Sequence, residues 1–243
     1  MEHDKALGGK RILILRASGS GSYYVNALQA RGASANSTSV LRIEPIADNT
    51  ALDEALTRIG SYDWVVFTSA NTVRVVERRL AQLTIDPGRT HPRQVAVVGP
   101  ATLRAVQRIG WTVELVPARN SAAGLLEALV TVSRKETSGL PTVLLPQSDR
   151  ADNMLETELA RAGYDVNRIV VYRTVIDDEA AQSAAQVIEA EEVDVLVFTS
   201  PSTVYAMAAG LAGGHASPSI ICIGERTACA CVEAELTVAA VCG

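Results

Sequence analysis

DWVVFTSANTV at residues 63–73 returns as DVLVFTSPSTV at residues 194–204, with seven of eleven positions identical at a spacing of 131 residues. The same spacing lays Gly32 on Gly163 and RILIL at 11–15 on TVLLP at 142–146. Further along, VAVVGPATLRAVQRIGWTVELV at 95–116 is echoed by IICIGERTACACVEAELTVAAV at 220–241, now at a spacing of 125, so the second copy is six residues shorter in one loop. A duplication on this scale predicts two similar lobes with a cleft between them, a common place for a ligand.

Short runs rich in Val and Ile alternate with amphipathic stretches throughout, the pattern of a parallel sheet covered by helices. Strands are expected at 11–16, 64–68, 94–98, 112–116, 142–146, 195–199, 219–223 and 237–241. Gly32, Gly110 and Gly163 follow apolar-periodic helices where a left-handed cap is wanted, and Pro100 and Pro201 stand where helices begin. Two further strand-like segments, 37–44 and 169–176, are each other's copies, with Val40 on Val171, Leu41 on Tyr172 and Arg42 on Arg173. They are expected to pair antiparallel across an approximate twofold axis and to carry the chain between lobes. The fold class is therefore α/β, two similar doubly wound, flavodoxin-like parallel-sheet lobes joined by a two-stranded β ladder.

At 243 residues and 48% hydrophobic content the chain can bury real cores. Its start is polar and nowhere do 18 apolar residues run together, which points to a cytoplasmic protein with no membrane partner. A net charge of −5 argues against nucleic acid as a partner. The acidic run at 177–194 reads as a solvated helix face. The four cysteines, Cys222, Cys229, Cys231 and Cys242, lie on strand, helix and chain end rather than at ligand spacing, and His3, His91 and His215 are scattered. Reduced packing thiols are expected, and no metal.

Candidate chemistry sits in four turns that follow strands: Thr68-Ser69-Ala70-Asn71, Gly99-Pro100-Ala101-Thr102, Thr199-Ser200-Pro201-Ser202 and Gly224-Glu225-Arg226-Thr227. Open α/β sheets bind ligands at such ends. Each turn is hydroxyl-rich or glycine-led and opens a helix, whose free N–H groups and partial positive charge suit carboxylates or phosphates; ordinary capping by Ser and Thr is the competing reading. Gly19-Ser20-Gly21 begins like a dinucleotide loop, but Ser22-Tyr23-Tyr24 breaks the pattern, and no Walker, GxSxG or HExxH motif is present. Catalysis would rest on placement, backbone dipoles and a Tyr or an acid.

With the paired FTS turns, the paired VGPAT and IGERT turns and the segment IVVYRT at 169–174, the whole chain resembles uroporphyrinogen-III synthase. The resemblance implies two α/β lobes, with the first βα unit belonging to the lobe built mostly from the C-terminal part: residues 1–36 and 177–243 in one lobe, 45–168 in the other, and connector strands at 37–44 and 169–176. It implies a cofactor-independent cyclising hydro-lyase of haem biosynthesis. Linear hydroxymethylbilane loses its terminal hydroxyl, ring D inverts through a spiro intermediate, and the macrocycle closes as uroporphyrinogen III. Tyr172 is implied as the group assisting hydroxyl departure. Substrate contacts are implied at Arg16, Ser69, Ala70, Asn71, Gly99, Thr102, Ser200, Pro201, Ser202 and Thr227. The partners are then hydroxymethylbilane and, as its donor, hydroxymethylbilane synthase, with the protein itself a monomer. Ala17, and the segment 147–152, depart from the family pattern. A reading from another class is a two-lobed binding or sensor protein for an acidic small molecule. Finally, the helix expected at 122–132 has its counterpart at about 247–257, so the natural chain is expected to run on by roughly 15 to 25 residues.

Overall fold

A computed structural model describes residues 6–17, 22–133, 140–211 and 218–242. Gly19, Ser20, Gly21, His3 and His215 lie outside the described residues. The chain divides into two compact units, residues 1–42 with 175–243, and residues 43–174.

The first unit holds a five-stranded sheet built from β1 (Arg11–Arg16), β2 (Ser34–Ser39), β8 (Val195–Phe198), β9 (Ser219–Cys222) and β10 (Val238–Val241), in the order β2-β1-β8-β9-β10. All its paired strands are parallel. Helices α1 (Ser22–Gln29), α7 (Asp178–Glu189), α8 (Pro201–Leu211) and α9 (Glu225–Glu233) connect them. Numbered within the unit this is the order 2-1-3-4-5, the flavodoxin-like winding.

The second sheet consists of β3 (Leu41–Pro45), β4 (Trp64–Phe67), β5 (Val95–Val97), β6 (Thr142–Ser148) and β7 (Asp165–Ile176) in the order β3-β7-β6-β4-β5, and all but the first two residues of β3 and the last two of β7 belong to the second unit. Its pairs β4–β5, β4–β6 and β6–β7 are parallel. Helices α2 (Thr50–Thr57), α3 (Ala70–Gln82), α4 (Pro100–Arg108), α5 (Ala122–Ser133) and α6 (Met154–Arg161) belong here. By the 131-residue spacing, β6 is the copy of β1 and β8 the copy of β4. Each sheet therefore takes its first two wound strands from one repeat and the rest from the other.

Burial on both faces explains why the strands read as unbroken apolar runs rather than alternating ones. In the second sheet Val65, Phe67 and Leu144 join one core with the α3 residues Val73, Val76 and Leu80, while Trp64, Val66, Val143 and Leu145 join the opposite core with Leu125 and Leu129 of α5. The first sheet splits likewise: Leu13, Leu15, Leu196 and Phe198 on one side, Ile12, Ile14, Val195 and Val197 on the other. Gly110 and Gly163 end their helices at φ 87° and 92° as expected. Three further helices end the same way on Thr84, Glu191 and Glu235, at φ 55–59°, where no glycine announces the cap.

Two expected strands differ. Residues 112–116 form no strand, only an isolated bridge between Ala96 and Leu115. Glu114 explains this: its Oε2 accepts the Val95 N–H at 2.6 Å and its Oε1 the Thr112 hydroxyl at 2.8 Å, so a side chain takes an N–H that a strand edge would use. The segment 37–44 is divided at Val40, whose N–H donates to Arg16 O and whose carbonyl accepts from Asp177 N–H. The first part ends β2 parallel to β1, and the rest is β3, which lies beside β7. Its counterpart 169–176 falls wholly within the twelve-residue β7.

Candidate active site

In each parallel sheet the strand ends and helix starts gather on one edge, and ligands bind where the winding reverses. In the first unit that point lies between β1 and β8. Arg16 ends β1 and pairs with Ser39, and Thr199, just past β8, ties the two strand ends together. Its N–H and its hydroxyl both donate to Leu15 O, at 3.3 and 2.9 Å. In the second unit the reversal lies between β6 and β4, beside the Ser69 turn.

The four turns have one feature in common that a motif-by-motif reading missed. Each places a threonine third in its helix: Thr72 in α3, Thr102 in α4, Thr203 in α8 and Thr227 in α9. All four are buried, none more than 5% exposed. The signal was present in the sequence as Ser or Gly followed three positions later by Thr, at 69, 99, 200 and 224. Thr203 donates to Ser200 O at 2.7 Å, the local bond such a residue commonly makes. Its copy Thr72 has a sealed hydroxyl with no partner among the described residues. Thr102 and Thr227 make no side-chain hydrogen bond among the described residues either. Thr102 and Thr227 are thus not the caps of their helices. Gly99 and Gly224 hold that position, and neither has a side chain to offer.

Those glycines are not demanded by the protein's own structure. Both are extended, at φ −164° and −178°, which any residue adopts. A Cβ on Gly224 would meet nothing within 4 Å, and on Gly99 only ordinary contact with Asn120 at 3.5 Å. The other two turns carry hydroxyls. Ser69 Oγ accepts the Asn71 N–H at 3.1 Å as a true cap, and Ser200 and Ser202 are linked Oγ to Oγ at 3.0 Å, with Pro201 between them opening α8. The first turns of α3, α4 and α8 contain no acid, so nothing there cancels their partial positive charge; α9 carries Glu225.

Tyr172 sits in β7 with 5% of its surface exposed, packed into the core that includes Leu52, Phe67 and Val73. Its carbonyl accepts the Asp149 N–H at 3.0 Å where the β6–β7 register shifts, and its hydroxyl makes no hydrogen bond among the described residues. Ala70 lines a groove of about 520 Å³ between α3 and α4, with Arg74, Arg104 and Arg108.

The cysteines are not uniformly packing residues. Cys222 and Cys231 are buried with Sγ atoms 3.5 Å apart, while Cys229 and Cys242 are exposed. Burial, reinforced by its neighbour, pushes the Cys231 thiol up to about 12, and burial raises Cys222 as well. No cluster of three or more His, Cys, Asp or Glu able to hold a metal occurs among the described residues, and no helix among them is long and apolar enough to cross a membrane.

Comparison with known proteins gives the family. The family model described as uroporphyrinogen-III synthase HemD matches residues 22–242. A uroporphyrinogen-III synthase of Synechococcus elongatus is 26% identical over 95% of this chain and 88% of its own length. A porphyrin biosynthesis protein HemD of Ruminiclostridium josui is 26% identical over 92% of this chain, which spans 44% of that protein. Among solved structures, a uroporphyrinogen-III synthetase of Helicobacter pylori shares the fold, with a TM-score of 0.61 at 15% identity over 95% of this chain and 92% of that one. A chain matched by the family model over nearly its whole length, in two parallel-sheet α/β units, belongs to the uroporphyrinogen-III synthase family.

Proposed function

We propose that the protein closes linear hydroxymethylbilane to uroporphyrinogen III as a cofactor-independent lyase in the cytoplasm, acting as a monomer on substrate delivered by hydroxymethylbilane synthase. The observation that carries the reading is the fourfold recurrence of a threonine-bearing helix entrance at the carboxyl ends of parallel strands. The substrate's eight carboxylates are anions, and free N–H groups at helix starts bind anions without excess basic side chains. That reconciles an acidic substrate with a chain of net charge −5.

In the reaction the terminal C–O bond breaks and the oxygen, once protonated, leaves as water; the freed methylene bonds to the already bridged carbon of ring D to give the spiro intermediate, the original bond from that carbon to its bridge breaks, and the bridge rejoins ring D at its free α-carbon with loss of a proton, closing the inverted macrocycle. The protein's task is to hold ring D so that it inverts, because the same substrate closes spontaneously to the uninverted isomer I. Ser69, Ala70, Asn71, Gly99 and Thr102 in one unit, and Arg16, Ser200, Pro201, Ser202 and Thr227 in the other, are assigned to gripping carboxylate arms. The bare glycine caps support this, since space left open at Gly224 lets a ligand reach the backbone N–H groups. Tyr172 is assigned as proton donor to the departing hydroxyl, a neutral acid suited to a partly apolar setting.

The test is to supply freshly generated hydroxymethylbilane to protein desalted and treated with a chelator, then separate the isomers. Isomer III formed at an undiminished rate supports the reading. Activity lost on chelation and restored by a metal would overturn cofactor independence, and isomer I alone would overturn the reaction.

A further inference from the structure

The groove between α3 and α4 holds three cations and no acid. Ala70, Ala101 and Ala105 form its apolar lining, and Arg74, Arg104 and Arg108 supply its charge. Arg74 donates to Asn71 Oδ1 at 2.7 Å, a neutral partner. No carboxylate among the described residues stands within ion-pair distance of any of the three, whereas elsewhere in the same unit Arg79 pairs with Asp53, Arg93 with Asp63 and Arg119 with Glu127. Two other cavities among the described residues are balanced: Arg11 with Glu192 in one of about 290 Å³, Arg58 with Asp165 in one of about 430 Å³.

Like charges brought together repel, and Arg104 and Arg108, four apart on one helix, oppose each other directly. The helix starts at Ala70 and at Pro100 add positive potential near Arg74 and Arg104, each about one turn into its helix. Three unbalanced guanidinium groups around a floor of methyl groups describe a receptor for a short aliphatic chain ending in a carboxylate. The CH₂ groups lie on alanine and the carboxylate takes a two-pronged guanidinium contact. The alanines matter beside the arginines, because a larger side chain at 101 would take up part of the space along the lining.

We propose that this groove receives acetate or propionate arms of the substrate, with Arg74, Arg104 and Arg108 as specificity-determining residues adjoining the Ser69 and Gly99 turns. The proposal rests on the function proposed above and extends its binding surface one to two helical turns beyond the residues assigned there.

The experiment compares the wild type with Arg104→Gln/Arg108→Gln, and with Ala101→Leu, which narrows the groove while keeping every charge. Two readouts are taken: KM and kcat for isomer III, and affinity for uroporphyrin, an eight-carboxylate porphyrin, by fluorescence titration. The expected result for both variants is a KM and a uroporphyrin Kd raised about 10-fold or more, with kcat changed much less and unfolding temperature unchanged. The double arginine variant also loses part of the salt dependence. Unchanged KM and unchanged uroporphyrin affinity in an active enzyme overturn the proposal, as does a loss confined to reactions coupled to the donor enzyme, which would make the groove a protein-docking face. If the wild type forms only isomer I, the proposed function fails separately, and the uroporphyrin titration still decides the groove.

Discussion

Asp194 accepts the backbone N–H of Arg11 at 2.8 Å and returns its own N–H to Arg11 O at 2.9 Å, across 183 positions of sequence. The copied pair does the same: Asp63 accepts the N–H and hydroxyl of Thr142 at 2.8 and 3.0 Å. Each bracket ties the start of a first-wound strand from one repeat to the start of a third-wound strand from the other. The aspartate that opens both copies of the FTS motif is therefore a fastener of the exchanged sheets, at the edge opposite the helix entrances.

That fastening is pH-dependent. Hydrogen bonds and the charge of Arg11 hold Asp194 down to about 2, and the Thr142 N–H and hydroxyl, with Arg93, lower Asp63. A depressed carboxylate adds stability above its unfolded value of about 3.9, lost as pH falls through the folded one. Unfolding temperature should accordingly drop between about pH 4 and pH 2, more steeply in the wild type than in Asp63→Asn. That variant should lose about 1–2 kcal/mol at neutral pH. A wild-type profile flat to pH 2 would contradict the bracket.

Thr102→Val and Thr227→Val keep shape and remove a hydroxyl that bonds to nothing among the described residues. Turnover should fall at least 10-fold while thermal stability holds. Thr203→Val should instead lose about 1 kcal/mol, the net value of its bond to Ser200 O. Equal destabilisation by all three would make the four threonines purely structural. Denaturant titration beside kinetics separates the cases.

Tyr172→Phe should slow isomer III formation by about 100-fold with no change in melting, since the ring remains in its core while the proton donor is gone. An undiminished rate would assign Tyr172 to packing alone.

Gly224→Ala should fold normally, because the added Cβ has open space and an ordinary φ, yet raise KM by obstructing the helix entrance. Substrate saturation curves check this, and a KM equal to the wild type would mean that no ligand approaches there.

Thiol labelling tests the first unit directly. Cys229 and Cys242 should react promptly with a disulfide reagent in the native protein, and Cys222 and Cys231 only after unfolding.

Much of this is legible in the sequence alone. The repeat, the Val-rich strands, the glycine caps at Gly110 and Gly163 and the candidate turns all depend on local periodicity and backbone preference, which single residues announce. What stayed hidden depends on contacts remote in sequence. Glu114 cancels a strand by capturing the Val95 N–H, and Val40 divides a segment through bonds to Arg16 and Asp177. The shared third-position threonines are written in the sequence, but the FTS turns taken as 68–71 and 199–202 stop one residue short of Thr72 and Thr203, and only helix starts at Ala70 and Pro201 align these with Thr102 and Thr227. The arginine groove needed the packing of α3 beside α4 to bring Arg74 together with Arg104 and Arg108.

The most direct measurement is the isomer composition of the product as protein is titrated into freshly made hydroxymethylbilane. The account predicts uroporphyrinogen III in proportion to protein, at a rate well above spontaneous closure. Isomer I alone, formed at the protein-free rate, would contradict it.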